Sequence, residues 1–413
     1  MRIAFVVGAF PVISETFILN QITGLIDRGH VVDIFTRSIR HLETPHPQIS
    51  RYRLLDYTKV VDRRAKGNWN RVIKAATLVA RRYAWARSAT WSTFSKIHTA
   101  RNMGCAIPRL GLLEIGMSQL PDRPYDIIQC QYGTLGKRFL ALKMSGLITG
   151  KFITAFRGHD ITQHVNSVPG FYDELFKEGD LFLPVSRSLE QRLIDGGCDP
   201  AKIRVLHSGI DCSRFHFRPR TANKDEPINI LTIGRFVEMK GIIYGIEAVA
   251  GLIQTCPDKK IHYDIIGDGP LRNEISMKLK QLDIESHVTL HGWKDQDSVT
   301  GYLDQAHILL TPSVTAANGE TEGIPNVLKE AMAVGLPVVS TVHSGIPELV
   351  EDGVSGYLVP ERDVRALSDR LSYLIEHPDR WEAMGQAGKK KIEEDFDSEK
   401  ITDRLVKLYQ EIS

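Results

Sequence analysis

Short apolar runs alternate with helical stretches along the chain, break off near residue 211, and then resume. "IAFVV" at 3–7 ends at Gly8, "SETFILNQITGLIDRGH" follows with helical spacing from the N-cap residue Ser14, and "VVDIFT" comes next. Strand, helix and strand in that order form the unit of a parallel, doubly wound sheet. "DIIQCQY", "KFITAFRG", "LFLPVS" at 181–186 and "IRVLHSG" at 203–209 supply further strands. The polar, Pro-containing stretch "CSRFHFRPRTANKDEP" then reads as a linker. Beyond it come "INILTIGR", "IHYDIIGDGP", "HVTLHG", "HILLTPS", "PVVSTV" and "GYLVP", a second set of strands. A chain of 413 residues is long enough for two such cores. The expected fold class is α/β, with doubly wound parallel-sheet domains at 1–215 and 225–390 facing across a cleft. Ligands bind at the carboxyl ends of the strands in such sheets, so each motif is read by its distance past a strand.

The stretch "EGIPNVLKE" places Glu322 before an apparent helix and Glu330 about five residues inside it. Pro325 suits the first helical position, which makes Ile324 the N-cap. Ile324 has no side-chain oxygen, so the N–H groups of Asn326 and Val327 are left for an anion such as a phosphate. A phosphate there, with a carboxylate on each side to accept hydroxyl hydrogen bonds, fits a nucleoside diphosphate sugar. A surface helix with two solvated glutamates fits the same residues. "IGRFVEMKG" at 233–241 follows a strand, with Gly234 for the turn and Arg235 and Lys240 as cations for a diphosphate. Two solvated bases on a loop are the competing reading. "IIGDGPLR" has only two glycines, Gly267 and Gly269, which does not support a dinucleotide fingerprint. "AFRGHDIT" brings Arg157, His159 and Asp160 to another strand end. "KDQD" contains a D-x-D, but Asp297 reads as a helix N-cap, and no metal site is expected.

Net charge is only +2, yet residues 51–110 hold 14 Lys or Arg against Asp56 and Asp62, a local balance of +12. Within this basic helical insertion Val72, Ala76, Val79, Tyr83 and Ala86 fall near one side of a helix, and Trp69, Trp85 and Trp91 punctuate it. Such a helix suits an anionic membrane surface, and equally a solvated insertion. No base-reading module is visible, so nucleic acid is not an expected partner. Five scattered cysteines without a C-x-x-C argue for a reducing compartment. "MRIAFVVGAFPVI" reads as a first strand rather than a signal peptide, and no run is long enough to span a bilayer. A cytoplasmic protein, or one peripheral on the inner face of the membrane, is expected.

The segment 322–359, "EGIPNVLKEAMAVGLPVVSTVHSGIPELVEDGVSGYLV", closely resembles the signature of the family-4 retaining glycosyltransferases. "IGRFVEMKG", "IGDGP", "LHGW" and "VLHSGID" match that family's other landmarks in order. "FPVISETFILNQI" and "FRGHDIT" resemble its branch that builds bacterial exopolysaccharides, colanic-acid type enzymes among them. The resemblance implies the GT-B fold, two facing Rossmann-like domains, with the acceptor on the first, the donor on the second, and a final helix in 391–413 packing back towards the first. It implies a retaining, metal-independent hexosyltransferase. The donor would be a UDP- or GDP-linked sugar, no separate cofactor would be needed, and the acceptor would be a saccharide, free or lipid-linked. Glu330 would hold the donor ribose, Glu322 the transferred sugar, and Arg235 and Lys240 the diphosphate. Gly234 and the stretch Gly323, Ile324, Pro325, Asn326, Val327 would line the phosphate site. Gly292 and Trp293 would lie against the nucleobase, and an amino-terminal loop at Gly8 would close over the donor. The family reads His-Gly-x-Asp where this chain has Arg157-Gly158-His159-Asp160, so either Arg157 or His159 faces the reacting centre. A nucleotide-sugar epimerase of the same fold and a non-catalytic partner subunit stand as alternatives.

Overall fold

A computed structural model describes residues 1–12, 15–40, 46–61, 124–144, 148–158, 160–162, 168–222 and 226–413. Two compact units divide the chain. The first comprises Met1–Pro184, Glu190–Leu206 and Thr402–Ser413, and the second Val185–Leu189 and His207–Ile401. The boundary thus falls earlier than the polar stretch 212–227 suggests. Ile210 and Phe215 are buried in a core of the second unit. Buried Arg220 donates to the carbonyls of Asp304, Leu303 and Val334 in that unit. Phe215 and Arg220 of the "linker" are therefore packed structure.

The first unit holds strands β1 (Arg2–Phe10), β2 (Val31–Ile39), β3 (Thr58–Val60), β4 (Ile127–Cys130), β5 (Lys151–Phe156) and β6 (Leu181–Pro184), in the order β3-β2-β1-β4-β5-β6. All pairings are parallel. Helices on both faces bury such strands on both sides, which is why β6 reads as an unbroken apolar run and β4 is buried throughout, Gln129 included. The stretch 203–209 does not form the expected strand. It meets the β6 edge through two backbone bonds, Arg204 N–H to Phe182 O and Leu206 N–H to Pro184 O, and then enters the second unit at His207. The last helix, Ser398–Ile412, sends Asp403 to Arg28 at 2.7 Å and Tyr409 to Gln129, both in the first unit.

The second unit repeats the plan with β7 (Ile228–Ile233), β8 (Ile261–Ile266), β9 (Val288–Gly292), β10 (Ile308–Thr311), β11 (Val338–Thr341) and β12 (Tyr357–Val359), in the order β12-β11-β10-β7-β8-β9. Alternate strand residues point to opposite faces. Ile230, Ile265, Leu310 and Val339 join one core, with the helix Ile242–Thr255. Leu231, Ile266, Leu309 and Val338 join the other, with the helix Asn326–Ala333. In both sheets the order reverses between the unit's first and fourth strands, β1/β4 and β7/β10. Crevices at such switch points are where open α/β sheets bind ligands.

Candidate active site

At the β7/β10 switch point the chain leaves β7 at Ile233 through Gly234 and exposed Arg235, then makes a short turn, Glu238–Lys240. Gly241 ends that turn with φ 61°, and a Cβ there would lie 1.8 Å from Pro312 O. Only glycine lets this turn press against the chain leaving β10. The packing brings Lys240 Nζ to 2.6 Å from Glu322 Oε1, with side chains 18% and 10% exposed. Spacing did not anticipate this contact: the cation expected on a diphosphate and the carboxylate expected on a sugar are partners here. Arg235 makes no ion pair or side-chain hydrogen bond among the described residues.

Glu322 is held from behind. Its backbone N–H donates to His343 Nε2 at 3.1 Å, while His343 Nδ1 lies 2.6 Å from Glu361 Oε1. A nitrogen that accepts an amide proton must be bare, so the ring proton sits on Nδ1 and is donated to Glu361. Glu361 also accepts from Thr315 N at 2.8 Å and Thr315 Oγ1 at 3.1 Å. Burial pushes the Glu361 carboxyl up, but the bonds from Thr315 and His343 outweigh it and hold the group below its ordinary value. His343 follows β11 and Glu361 follows β12, so three strand ends converge behind Glu322.

The helix Asn326–Ala333 begins after Pro325, which is the N-cap at φ −59°, ψ 130°. The expected Ile324 cap is thus displaced by one residue, because an extended Pro can flank a helix as well as start one. No side chain among the described residues caps it, so the first N–H groups stay available to an anion. Ile324 and Val327 bury their side chains in the core, and Gly323 O accepts from Gly345 N at 3.2 Å. Any ligand contact from Ile324 or Val327 is therefore through the backbone. Leu328, Ala331 and Met332 are fully buried. Each large apolar side chain so buried contributes about 1.5–3 kcal/mol, which fixes the helix and its open end. Buried Lys329 adds bonds from Nζ to Ser208 O at 2.7 Å and Oγ at 2.8 Å. Glu330 is half-buried, and burial raises its carboxyl above the ordinary value against the opposing pull of Lys329 and Arg214.

Gly292 ends β9 and accepts from Gly267 N at 3.0 Å; the indole of Trp293 follows, 65% exposed. The helix Gln296–Gln305 is capped by Asp295, which accepts from Ser298 N at 2.8 Å. The cap is therefore Asp295 and not Asp297, which lies in the first turn 3.4 Å from Arg214. Among the described residues no three His, Cys, Asp or Glu cluster as metal ligands.

The Escherichia coli (strain K12) protein named "Putative colanic acid biosynthesis glycosyltransferase WcaL" is 36% identical to this chain over 414 residues, 99% of this chain and 100% of that one. The family profile described as "Glycosyl transferases group 1" matches residues 213–391. The chain belongs to the group 1 glycosyl transferases. The amylovoran biosynthesis glycosyltransferase AmsK of Erwinia amylovora is 35% identical over 418 residues, the full length of both. The crystal structure of Anabaena Alr3699/HepE in complex with UDP and glucose covers all of both chains at TM-score 0.69 and 16% identity. At that identity the likeness shows the fold, which is GT-B.

The first unit of this group 1 glycosyl transferase places its expected residues differently. Gly8 lies within β1, which runs on to Phe10, and not in a loop beyond the strand. Asp160 is fully buried; its carboxylate accepts from the backbone N–H of Arg157 at 2.9 Å, Gly158 at 3.0 Å and Gly133 at 2.8 Å. A carboxylate so occupied holds the strand-end loop, the part that the hydrogen bonds give to Asp160. His159 lies outside the described residues, as do Ser14 and the helical reading of 71–91. Sequence reading passed over His343 and Glu361, although both directly follow strands ("PVVSTVH", "GYLVPE").

Proposed function

We propose that this glycosyltransferase moves a hexosyl group from a UDP- or GDP-linked sugar to a saccharide acceptor, with retention of configuration, in exopolysaccharide assembly. The observation that carries the reading is the Lys240–Glu322 pair, 2.6 Å apart at the β7/β10 switch point, in the segment that also carries the uncapped start of the helix Asn326–Ala333. A donor diphosphate recruits Lys240 and Arg235, and backbone N–H groups at that helix start add to them. Glu322, released from Lys240, then accepts hydroxyl bonds from the transferred sugar. Glu330 takes the ribose hydroxyls and Trp293 stacks on the base. As the anomeric C–O bond breaks, its electron pair goes to the diphosphate, whose charge preset donors stabilise, while an acceptor hydroxyl oxygen bonds to the anomeric carbon from the same face and gives its proton to the departing diphosphate oxygen. The names of WcaL and AmsK support the exopolysaccharide role. Incubation with UDP- and GDP-hexoses and saccharide acceptors, with products read by NMR, tests it: a new glycoside whose anomeric configuration matches the donor is expected. An inverted product, or a nucleotide sugar merely epimerised, would overturn it.

The diphosphate site is built from cations and amides, so transfer persists in excess EDTA. Loss of activity restored by magnesium or manganese would contradict this.

The acceptor in this reading is a lipid-linked saccharide, and the basic segment 51–110 rests on an anionic membrane. Its +12 local charge supports that, since each Lys or Arg near such a surface contributes about 1 kcal/mol. Among the described residues no helix is long and apolar enough to cross a membrane. Sedimentation with anionic vesicles, absence of binding to neutral ones, and release by high salt are expected. A variant with Arg81, Arg82 and Arg87 all changed to Glu should stay in the supernatant; equal partitioning of variant and parent would remove this part of the account.

A further inference from the structure

The first sheet has its own switch point, between β1 and β4, and polar side chains collect there. Glu15 follows β1 as the N-cap residue of the helix Thr16–Asp27. Gln131 and Tyr132 directly follow β4, and Arg157 directly follows β5, on the next strand. Tyr132 donates its phenolic O–H to Glu15 Oε1 at 2.6 Å. Arg157 donates from Nη2 to Gln131 Oε1, and to Gln21 Oε1 at 3.4 Å, and its guanidinium lies 4.3 Å over the Phe17 ring. Arg157 Nε is buried with no hydrogen-bond partner among the described residues. An orphaned buried guanidinium N–H is costly.

A structural brace would close Glu15 onto Arg157 as an ion pair. Among the described residues it does not: Tyr132 is the hydrogen-bond partner of Glu15, and Arg157 turns to two amide oxygens. The opposite charges nonetheless feel each other across the site, Arg157 drawing down a Glu15 carboxyl that burial raises. A hydroxyl group is both donor and acceptor, so it can satisfy a carboxylate and a guanidinium N–H that do not satisfy each other.

We propose that Glu15, Tyr132 and Arg157 form a carbohydrate-hydroxyl site on the first unit, with Glu15 accepting from a pyranose hydroxyl of the acceptor. It rests on the glycosyltransferase reading above for the class of ligand. Phe17, beneath the guanidinium, keeps Arg157 from swinging away, and Asp160 fixes the backbone that carries it.

The test uses the full-length protein and a set of methyl hexopyranosides (gluco, galacto, manno and fuco, both anomers). Binding is read by saturation-transfer NMR, and UDP and GDP affinity is measured on the same samples. Wild type should show saturation of ring protons for at least one glycoside. Glu15→Gln and Tyr132→Phe, nearly isosteric and checked for an unchanged melting temperature, should weaken that glycoside tenfold or more and twofold to fivefold respectively. Nucleotide affinity should stay unchanged in both. The monodeoxy analogue lacking the recognised hydroxyl should bind wild type and Glu15→Gln equally weakly, which a merely structural role would not produce. Absence of saturation with every glycoside, or unaltered binding in Glu15→Gln, overturns the proposal. If glycoside binding depends on Glu15 but no nucleotide binds, the donor reading fails and this site stands.

Discussion

Replacing Lys240 by alanine should lower the affinity for UDP or GDP by tenfold to roughly a hundredfold. Removing a charge-assisted contact costs about 1.5–3 kcal/mol, and each 1.4 kcal/mol is about a factor of ten. A second loss adds to the first. Glu322 is 10% exposed and its carboxylate is paired with Lys240 at 2.6 Å. Without that cation an unpaired anion faces the incoming diphosphate. The double variant Lys240→Ala/Glu322→Gln should therefore recover part of the lost affinity, although not transfer activity. Calorimetric titration decides it. Equal affinity in wild type and Lys240→Ala would mean that the diphosphate lies elsewhere. No recovery in the double variant would mean that the ion pair does not gate the site.

Glu330→Gln should have opposite effects on binding and on stability. Donor affinity falls about tenfold or more, because one carboxylate that accepts ribose hydroxyls loses its charge. The unliganded protein becomes more stable. The sign follows from burial, which raises the folded-state carboxyl above its ordinary value. The folded protein then holds that proton more tightly than the unfolded chain does. The stability so linked is present below the unfolded value and is lost as pH rises through the raised one. Above the raised value the wild type carries an ionised, half-buried carboxylate that glutamine lacks. Melting curves at pH 5 and pH 8 should show a gain in the variant that is larger at pH 8. A variant less stable than wild type at pH 8 would contradict the burial argument.

Periodicity and strand-end position make much of this architecture legible in the sequence. The β-α-β alternation locates all five strands of the second unit beyond β7, because each is a short apolar run bounded by Gly, Pro or polar residues. Errors arose where two local solutions share one residue type. Pro325 suits both a first helical position and an extended N-cap, and only its ψ of 130° chooses. Asp295 and Asp297 can both cap a helix, and the bond to Ser298 N chooses Asp295. "IRVLHSG" has the composition of a strand, but only Arg204 and Leu206 donate to the β6 edge before the chain changes unit. The Glu361–His343–Glu322 relay was not legible, since its members follow β12, β11 and β10. Which strand ends meet is set by sheet order, and that order is a tertiary fact. Glu15 was hidden for a related reason: a carboxylate at a helix start already has a local explanation, and its phenolic partner lies 117 residues away.

The central claim is that the β7/β10 switch point holds a nucleoside diphosphate sugar. The most direct measurement is thermal melting of the full-length protein with UDP, GDP, ADP and their hexose conjugates, with EDTA present throughout. A ligand that binds only the folded state stabilises it by about 2.7 kcal/mol at a hundredfold excess over its Kd. One base series should raise the melting temperature of wild type by several degrees, and the same ligands should shift Lys240→Ala by about half as much or less at equal concentration. No shift with any nucleotide, or an equal shift in wild type and Lys240→Ala, would contradict the account.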